Sequence, residues 1–418
     1  MGTIHRALKV RLYPNKEQEI LINKSLGCAR FLYNTMLRER MQVYETKKED
    51  KRALFEHKYK TEKQYKEEFE WLSEVDSDTL QQSRINLSSA YTNFFNSLKG
   101  IRKGAKIGFP KFKKKSNHES YKIINRGTTI RFNNTLRKVR LAKLGWVTYR
   151  NDRSIPGIIK SAVISKTPSG KYFVSVLYEQ ELELQGIEIN DSLKVIGLDM
   201  SLQNFFVDSD GNSPTYERLY RKNEKKLAHY QRKMSKKQKG SKNREKARIK
   251  LAKIHEQIAN ARKDFTHKLS TKIVKENDVI VVEQLSLKGM SQALRLGKSV
   301  MDLGYSEFVR QLTYKSLWEN KLLIEADRWF ASSKTCNFCG FVKKDLLLQE
   351  RSWDCPNCGR SLNRDHNAGI NLKNYGLKEL GLKRPDFKSV EMKSSHSEEI
   401  RSEDLSMKQK ACGSLDRR

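Results

Sequence analysis

The chain has 418 residues, 37% of them hydrophobic, and carries 83 Lys+Arg against 49 Asp+Glu, a formal net charge of +34. The length suffices for several domains with a sizeable core, and neither an apolar run near the roughly 18 residues of a membrane span nor an apolar leader core in MGTIHRALKVRLYP is found, so a cytosolic protein is expected. So large a positive excess repels itself in a folded chain and a polyanion relieves it, which makes nucleic acid the expected partner; an anionic membrane surface would also fit the charge, but no amphipathic anchor stands out, so no membrane partner is expected.

In chain order, residues 5–13 alternate apolar Leu8, Val10 and Leu12 with Lys9, Arg11 and Tyr13, a strand pattern ended by Pro14. Asn15 and Gln18 form a capping box for a helix to about Tyr44, with a break expected at Gly27. Residues 45–70 are highly charged. Asp76, Ser77 and Asp78 offer caps for a helix carrying Leu80, Leu87, Tyr91, Phe94, Phe95 and Leu98 at helical spacing, stopped by Gly100. The basic GIRKGAKIGFPKFKKK follows, then alternating strand patterns to about residue 185, clearest in VTYRN, SAVISKT and KYFVSVLYEQ. This predicts one β-domain interrupted by a helical domain. From 193 the chain reads strand, turn, strand. A basic helical stretch comes next, with 18 Lys+Arg and three Glu between Arg218 and Lys263 and a hairpin expected at 238–243. Its imbalance is too one-sided for a salt-bridged pair of helices, so it is expected to face a polyanion. DVIVVE then reads as a buried strand, 305–320 as a helix, KLLIEA as a strand and NRDHNAGINLKNY as a closing helix.

Four of the six cysteines form Cys336-x-x-Cys339 and Cys355-x-x-Cys358, fifteen residues apart. In a reducing cytosol this spacing predicts one structural Zn2+ held by four thiolates. Cys28 is expected to be a small buried apolar residue of the first helix.

Asp199 ends the apolar VIGLD, Glu283 ends VIVVE, and Asp365 stands at the start of the closing helix. Each alone is ordinary: a solvated strand end, or a cap. Two adjacent strands and a helix start bring three carboxylates to one rim of a sheet, the oxygen set hard divalent cations want. Two Mg2+ ions, or Mn2+, held ~4 Å apart there suit phosphodiester hydrolysis. This is the logic of an RNase H-like nuclease.

GLDM…SDG, VVEQLSLKGM, CNFCG…CPNCG and NRDHNAGINL, with RLYPNKEQEILINKSLGCARFLYN, GFPKFKKK and PSGKYFVSVLYE towards the N-terminus, resemble the TnpB family of transposon-encoded RNA-guided DNA endonucleases, relatives of the type V CRISPR effectors. The resemblance covers about residues 5–375. It implies an α/β multi-domain protein: an RNase H-like (RuvC) nuclease core with an inserted zinc ribbon, plus an N-terminal β-barrel-like domain interrupted by a helical bundle. The expected boundaries are 1–14 and 101–190 for the split β-rich wedge domain and 15–100 for the helical recognition domain. The nuclease core would take 191–331 and 361–375, the ribbon 332–360, and a disordered tail 376–418. Asp199, Glu283 and Asp365 match the family's catalytic metal ligands, and Cys336, Cys339, Cys355 and Cys358 its zinc ligands. Asp365 is expected to start its helix as well as to ligate, and Asn367 to orient it. Asn363 stands where the family often has aspartate, Ser201 where glycine is usual, and Met200 replaces a more typical aliphatic.

The resemblance further implies a guide RNA from the transposon end and a double-stranded DNA target beside a short flanking motif, in a prokaryotic cytosol, by a monomer with one RNA. Gln81 is a candidate for reading an adenine edge, no stronger than an exposed helix glutamine. Lys111, Lys113, Lys236, Lys237 and Arg244 are candidate nucleic-acid contacts. Two other readings stay open: an RNA-guided DNA-binding repressor without cleavage, against which the intact carboxylate set argues, and a guide-independent structure-selective nuclease, against which the long N-terminal half argues.

Overall fold

The computed structural model describes residues 2–382 except 103, 116–118, 151–152, 183–186, 191, 287–288, 290–296 and 348. The chain divides between Leu182 and Glu183 into two compact units. The last strand of the first unit runs to Leu182 and pairs there with Gly2.

In the first unit β1 (Gly2–Tyr13) leads into α1 (Lys16–Lys47). Asn15 caps α1 reciprocally: its Oδ1 accepts from Gln18 N at 2.8 Å, and Gln18 Oε1 accepts from Asn15 N at 3.1 Å. The break expected at Gly27 is absent. Leu26, Cys28 and Leu32 are buried around it and hold the helix to its core, which outweighs a glycine penalty of about 1 kcal/mol. Burial pushes the Cys28 thiol up to about 11, as befits an inert core residue. The helices α2 (Lys51–Glu56), α3 (Glu62–Glu68) and α4 (Ser77–Leu98) follow. Tyr65, Leu72, Leu80 and Leu87 share one core with Leu32 and Leu37 of α1.

The chain then builds β2 (Glu119–Ile124), β3 (Arg131–Asn133), β4 (Lys138–Leu141), β5 (Gly145–Arg150), β6 (Ile158–Lys166) and β7 (Tyr172–Leu182). Their sheet runs β2-β6-β7-β1-β5-β4-β3, antiparallel throughout. The first strand in sequence is thus the central one, and the helices are an insertion between it and its partners. Among the described residues the order is open, with β2 and β3 as edges, where a barrel-like closure was expected. One core takes Ile123 from β2, Val174 from β7, Val10 from β1 and Val139 from β4, together with Ile22 and Leu26 of α1. Asp78 of α4, 7% exposed, accepts from Ile124 N at 3.1 Å and from Arg126 Nη2 at 2.7 Å, tying the helices to the β2 edge.

The second unit is built on β8 (Val195–Ser201), β9 (Phe205–Asp208), β10 (Val279–Glu283) and β11 (Leu322–Ala326), in the order β11-β10-β8-β9. β10 is parallel to both β8 and β11, and β9 returns antiparallel on β8. Alternation sorts the two faces. Ile196, Leu198, Ile280 and Val282 face a core with Phe205, Phe308 and Leu312. Val195, Val279 and Val281 face the other way, against Leu372 and Leu380. Those two belong to α9 (Arg364–Leu382), the closing helix. Leu380 is buried, so the helix continues beyond 375, where a disordered tail was expected to begin; residues 383–418, with Cys412, lie outside the described residues.

Between β9 and β10 stand the two basic helices, α5 (Leu219–Ser235) and α6 (Lys242–Glu276), joined through Gly240 at φ 86° as the turn signal predicted. Leu227 packs on Leu251, Ile254 and Ile258. Among the described residues, the helices α7 (Gly297–Leu303) and α8 (Tyr305–Trp318) stand between β10 and β11. Asp302 of α7, 3% exposed, accepts from Tyr220 N at 3.1 Å and from Arg262 Nη2 at 3.1 Å. One buried carboxylate therefore caps α5, which has no capping side chain of its own, and grips α6. Among the described residues no helix is long and apolar enough to cross a membrane.

Candidate metal centres

The cysteine centre is built from two equivalent knuckles. Cys336 N donates to Phe341 O at 2.8 Å and Gly340 N to Cys336 O at 3.0 Å. Cys355 N donates to Arg360 O at 2.9 Å and Gly359 N to Cys355 O at 2.8 Å. Each knuckle closes on a glycine at positive φ, 75° for Gly340 and 68° for Gly359, a backbone that a Cβ would strain. The knuckles meet face to face, with Cys336 Sγ 3.8 Å from Cys358 Sγ and Cys339 Sγ 3.5 Å from Cys355 Sγ. All four sulfurs lie within 4.8 Å of one another. Zn–S bonds of about 2.3 Å set a tetrahedral edge near 3.8 Å, so the donor set fits one Zn2+. A hydrogen bond with the Asn357 side chain, then one from the Phe341 backbone, holds the Cys339 thiol down at about 6, while Cys358, against a backbone hydrogen bond at Arg360, is pushed up to about 12 by burial and the neighbouring cysteines. Trp353, Leu346 and Leu362 form a small core around the cluster, and β12 (Ser352–Asp354) pairs with β13 (Ser361–Asn363) beneath it.

The carboxylates come together through register and close packing. In the parallel pair β8–β10, Val282 is level with Leu198, so Glu283 comes level with Asp199. Both continue the odd-numbered face, the one α9 covers. The helix lies close because three glycines permit it. A Cβ on Gly197 would stand 2.2 Å from the Gly369 carbonyl oxygen, one on Gly369 2.9 Å from the Asp208 backbone, and one on Gly376 2.4 Å from Val281 Cγ2. From the Gly197–Gly369 contact, Asp199 lies two strand residues on, about 6.6 Å. Asp365 lies four helical residues back, about 6 Å along the opposite direction of α9. The two paths end at the same rim.

The electrostatics agree. Burial first, then the charges of Glu283 and Asp365, push the Asp199 carboxyl well above its ordinary range, with Arg364 and Arg351 pulling it back. Burial also raises Glu283, which the Ser332 hydroxyl and Arg364 draw down. Asp365 has Arg351 Nη1 at 3.5 Å. Among the described residues the four cysteines are the set of three or more ligand side chains whose donor atoms all gather within 4.8 Å; the carboxylates are more widely placed.

Asp365 does not cap its helix. Asn363 does, its Oδ1 accepting from His366 N at 3.1 Å. Asparagine and aspartate cap equally well, so the change at 363 keeps the cap and leaves the Asp365 carboxylate free for the rim. Asn367 does not bond to Asp365 and acts on it only through the helix they share. It is 2% exposed, accepts from Asn337 N at 2.9 Å and donates to Thr335 O at 2.7 Å, clamping the first knuckle to α9. Asn371 adds bonds to Ser332 O at 2.8 Å and Thr335 O at 2.6 Å. Ser332, from the same loop, donates its hydroxyl to Glu283. The sequence reading missed this residue; its signal was only position, four residues before Cys336. His366 sits in the first turn, its ring 3.3 Å from Ser209 O.

The remaining candidates are scattered. Gln81 is half-buried on α4, and Lys111 is exposed. Lys113 lies over the Tyr33 ring at 4.2 Å and pairs through its backbone with Asn34. Lys236 is exposed and Lys237 half-exposed at the end of α5. Arg244 donates to the Met234 and Lys237 carbonyls, both at 2.9 Å, so it holds the hairpin turn.

A mixed four-stranded sheet with a carboxylate rim, closed by a helix rising from a four-cysteine ribbon, defines a mixed α/β protein of the kind seen in Cas12f1. The solved chain titled "Cryo-EM structure of the Cas12f1-sgRNA-target DNA complex" shares the fold over 89% of this chain and 99% of its own, with a TM-score of 0.51 at 14% identity. Family profiles described as "Helix-turn-helix domain", "Probable transposase" and "Cas12f1-like, TNB domain" match residues 1–49, 175–294 and 305–372. In this chain the first of those segments is a strand followed by one long helix. The chain belongs to the TnpB family. It is 33% identical over 379 residues to a "Putative RNA-guided DNA endonuclease" of Streptomyces pristinaespiralis, covering 90% of each. It is 32% identical over 388 residues to the "Putative RNA-guided DNA endonuclease InsQ" of Escherichia coli K12, covering 88% of this chain and 91% of InsQ. "TnpB-like protein L79" of Acanthamoeba polyphaga mimivirus is 29% identical over 143 residues, 33% of this chain and 27% of its own.

Proposed function

We infer that this chain is a transposon-encoded RNA-guided DNA endonuclease, and that Asp199, Glu283 and Asp365 are its cutting centre. The observation that carries the assignment of the centre is the shared rim: parallel register levels Glu283 with Asp199, and the glycine contact brings Asp365 to both. Three carboxylates repelling one another in a half-buried place are costly to keep unless a cation offsets them. Their spread, wider than a one-ion cage, suits a pair of Mg2+ ions. Bound there, the cations would stabilise the attacking and leaving oxygens of a phosphodiester displacement.

The chain's own part is to place ligands and exclude alternatives. Asp199 and Glu283 are fixed by strand register, Asp365 by the helix start, and Ser332 holds the Glu283 carboxylate in one orientation. The ribbon anchors the start of α9 through Asn367, so zinc bound by the four thiolates would set the third carboxylate from outside the sheet. The net charge of +34 supports RNA and DNA as partners, with the basic α5–α6 hairpin and the N-terminal unit as their proposed seats. Sequence specificity would come from guide pairing.

The test is cleavage of guide-matched double-stranded DNA by the chain co-purified with its transposon-end RNA, in Mg2+, beside a randomised flank. Cutting confined to one flanking motif and lost in Asp199→Ala is the expected result. Normal cutting by that variant would end the assignment of the centre, and cutting without RNA would end the guided reading.

A further inference from the structure

The loop between β11 and the ribbon, which runs from Ala326 to Ser332, presents a large aromatic outward. Trp329 is 83% exposed. An indole left in water forgoes the ~2–3 kcal/mol that burying a large apolar side chain returns, and its ring face stays open to a ligand. Its neighbours show that the loop is not loosely placed. Trp329 N donates to Asp327 Oδ1 at 2.8 Å, and Phe330 N to Asp327 O at 3.0 Å. Phe330 turns inward, its ring 4.9 Å from that of Tyr375 on α9. Ser332 N donates to Phe330 O at 2.9 Å, and the Ser332 hydroxyl reaches Glu283. The loop begins at Ala326, which pairs with Glu283. Trp329 is thus held between two points that both touch Glu283, no more than about 11 Å along the chain from Ser332. The Arg328 guanidinium lies 5.5 Å from the indole centroid, a cation beside a stacking face.

We propose, on the nuclease reading above, that Trp329 is a base-stacking platform for an unpaired nucleotide of the DNA strand as it enters the Asp199–Glu283–Asp365 rim. Arg328 neutralises the adjoining phosphate. An exposed aromatic flanked by arginine is the element single-strand-binding proteins use, and it accepts any base because every base has a π-face. Tolerance of that kind suits an enzyme whose specificity lies in guide pairing. Stacking on a fixed ring would hold the strand while its backbone lies across the carboxylates.

The experiment uses the chain loaded with its guide RNA. Matched DNA carries 2-aminopurine at successive positions around the cut, and wild type, Trp329→Phe and Trp329→Ala are compared for half-saturating DNA, single-turnover rate, guide affinity and melting temperature. Expected is a 2-aminopurine signal that rises at one position in Trp329→Ala, with half-saturating DNA about 5- to 150-fold higher. Trp329→Phe recovers most of both, and guide affinity and melting stay unchanged. A signal and half-saturation indifferent to Trp329, in a complex that cuts, would overturn the platform alone. A loss traced to guide affinity would also overturn it, in favour of RNA. A parent complex that does not cut, yet shows the Trp329-dependent signal, would overturn the nuclease reading and leave the platform.

Discussion

Ser332 donates its hydroxyl to the carboxylate of Glu283 across 49 residues of sequence, and its own carbonyl accepts from Asn371 of α9. The loop that leads into the cysteine ribbon is thereby bound to two elements of the proposed cutting centre. Removing the hydroxyl in Ser332→Ala leaves Glu283 free to turn. A hydrogen bond to a charged group is worth about 1.5–3 kcal/mol, so cleavage should slow by about 10- to 150-fold while DNA binding holds. The hydroxyl also draws the Glu283 carboxyl down against burial. Without it the group protonates at higher pH, and the acid limb of the rate profile should move up. Ser332→Thr, which keeps the hydroxyl, should restore both. A rate and profile identical to wild type in Ser332→Ala would remove Ser332 from the centre.

Asp199 predicts a trade of activity for stability. Burial and the neighbouring carboxylates raise its carboxyl well above the ordinary range. A raised carboxyl holds its proton more tightly folded than unfolded. Its contribution to stability is therefore full at low pH and lost as pH rises through the folded value. Asp199→Asn removes that loss. In EDTA at neutral pH the variant should melt higher than wild type, by about 2–4 °C per kcal/mol of relieved repulsion. The gain should shrink towards acid pH, and cleavage should be gone. Scanning calorimetry at pH 5 and 7 decides it; a variant that melts lower at neutral pH would mean the carboxylates are not strained together.

Cys355→Ser tests the ribbon as a support. Loss of one of four thiolates should abolish stoichiometric zinc, measured by atomic absorption, and cleavage should fall although Cys355 touches no substrate. Physically, the first knuckle would release Asn367 and with it the start of α9. Full zinc content in this variant would rule out the four-thiolate site.

Gly197→Ala and Gly27→Ala should move stability in opposite directions. A Cβ at Gly197 meets the Gly369 carbonyl at 2.2 Å and Lys373 N at 2.5 Å, both backbone, which cannot swing aside. The helix must lift, costing about 1–3 kcal/mol or more, and Asp365 lifts with it, so cleavage falls too. Gly27 has nothing within 4 Å of its Cβ direction and lies inside α1. Alanine there should stabilise by about 0.4–1 kcal/mol with activity intact. Urea unfolding of the two variants is the measurement; a stable, active Gly197→Ala would contradict the close packing of α9.

Much of this protein was legible in its sequence because the signals are local. The Asn15–Gln18 capping box, the alternation in β1 and β7, the basic hairpin and the two C-x-x-C knuckles each depend on residues a few positions apart, and each forms as read. Of the three carboxylates, Glu283 ends its strand and Asp365 stands in the first turn of its helix as read, but Asp199 lies inside β8, because pairing with β9 carries that strand on to Ser201. Local signals misled where packing overrode them: Gly27 stays helical because flanking residues are buried, and the helix passes residue 375 because Leu380 joins the core. The sequence by itself determined which residues carry charge, thiolate and carboxylate chemistry, since those are properties of side chains. Only the tertiary structure decided that they meet. A one-residue slip of β10 on β8 would turn Glu283 to the opposite face, and nothing within VIVVE forbids it. The register is held by the two cores on either side of the sheet, and the approach of α9 by Gly197, Gly369 and Gly376, which stand far apart in the chain and touch only once it has folded.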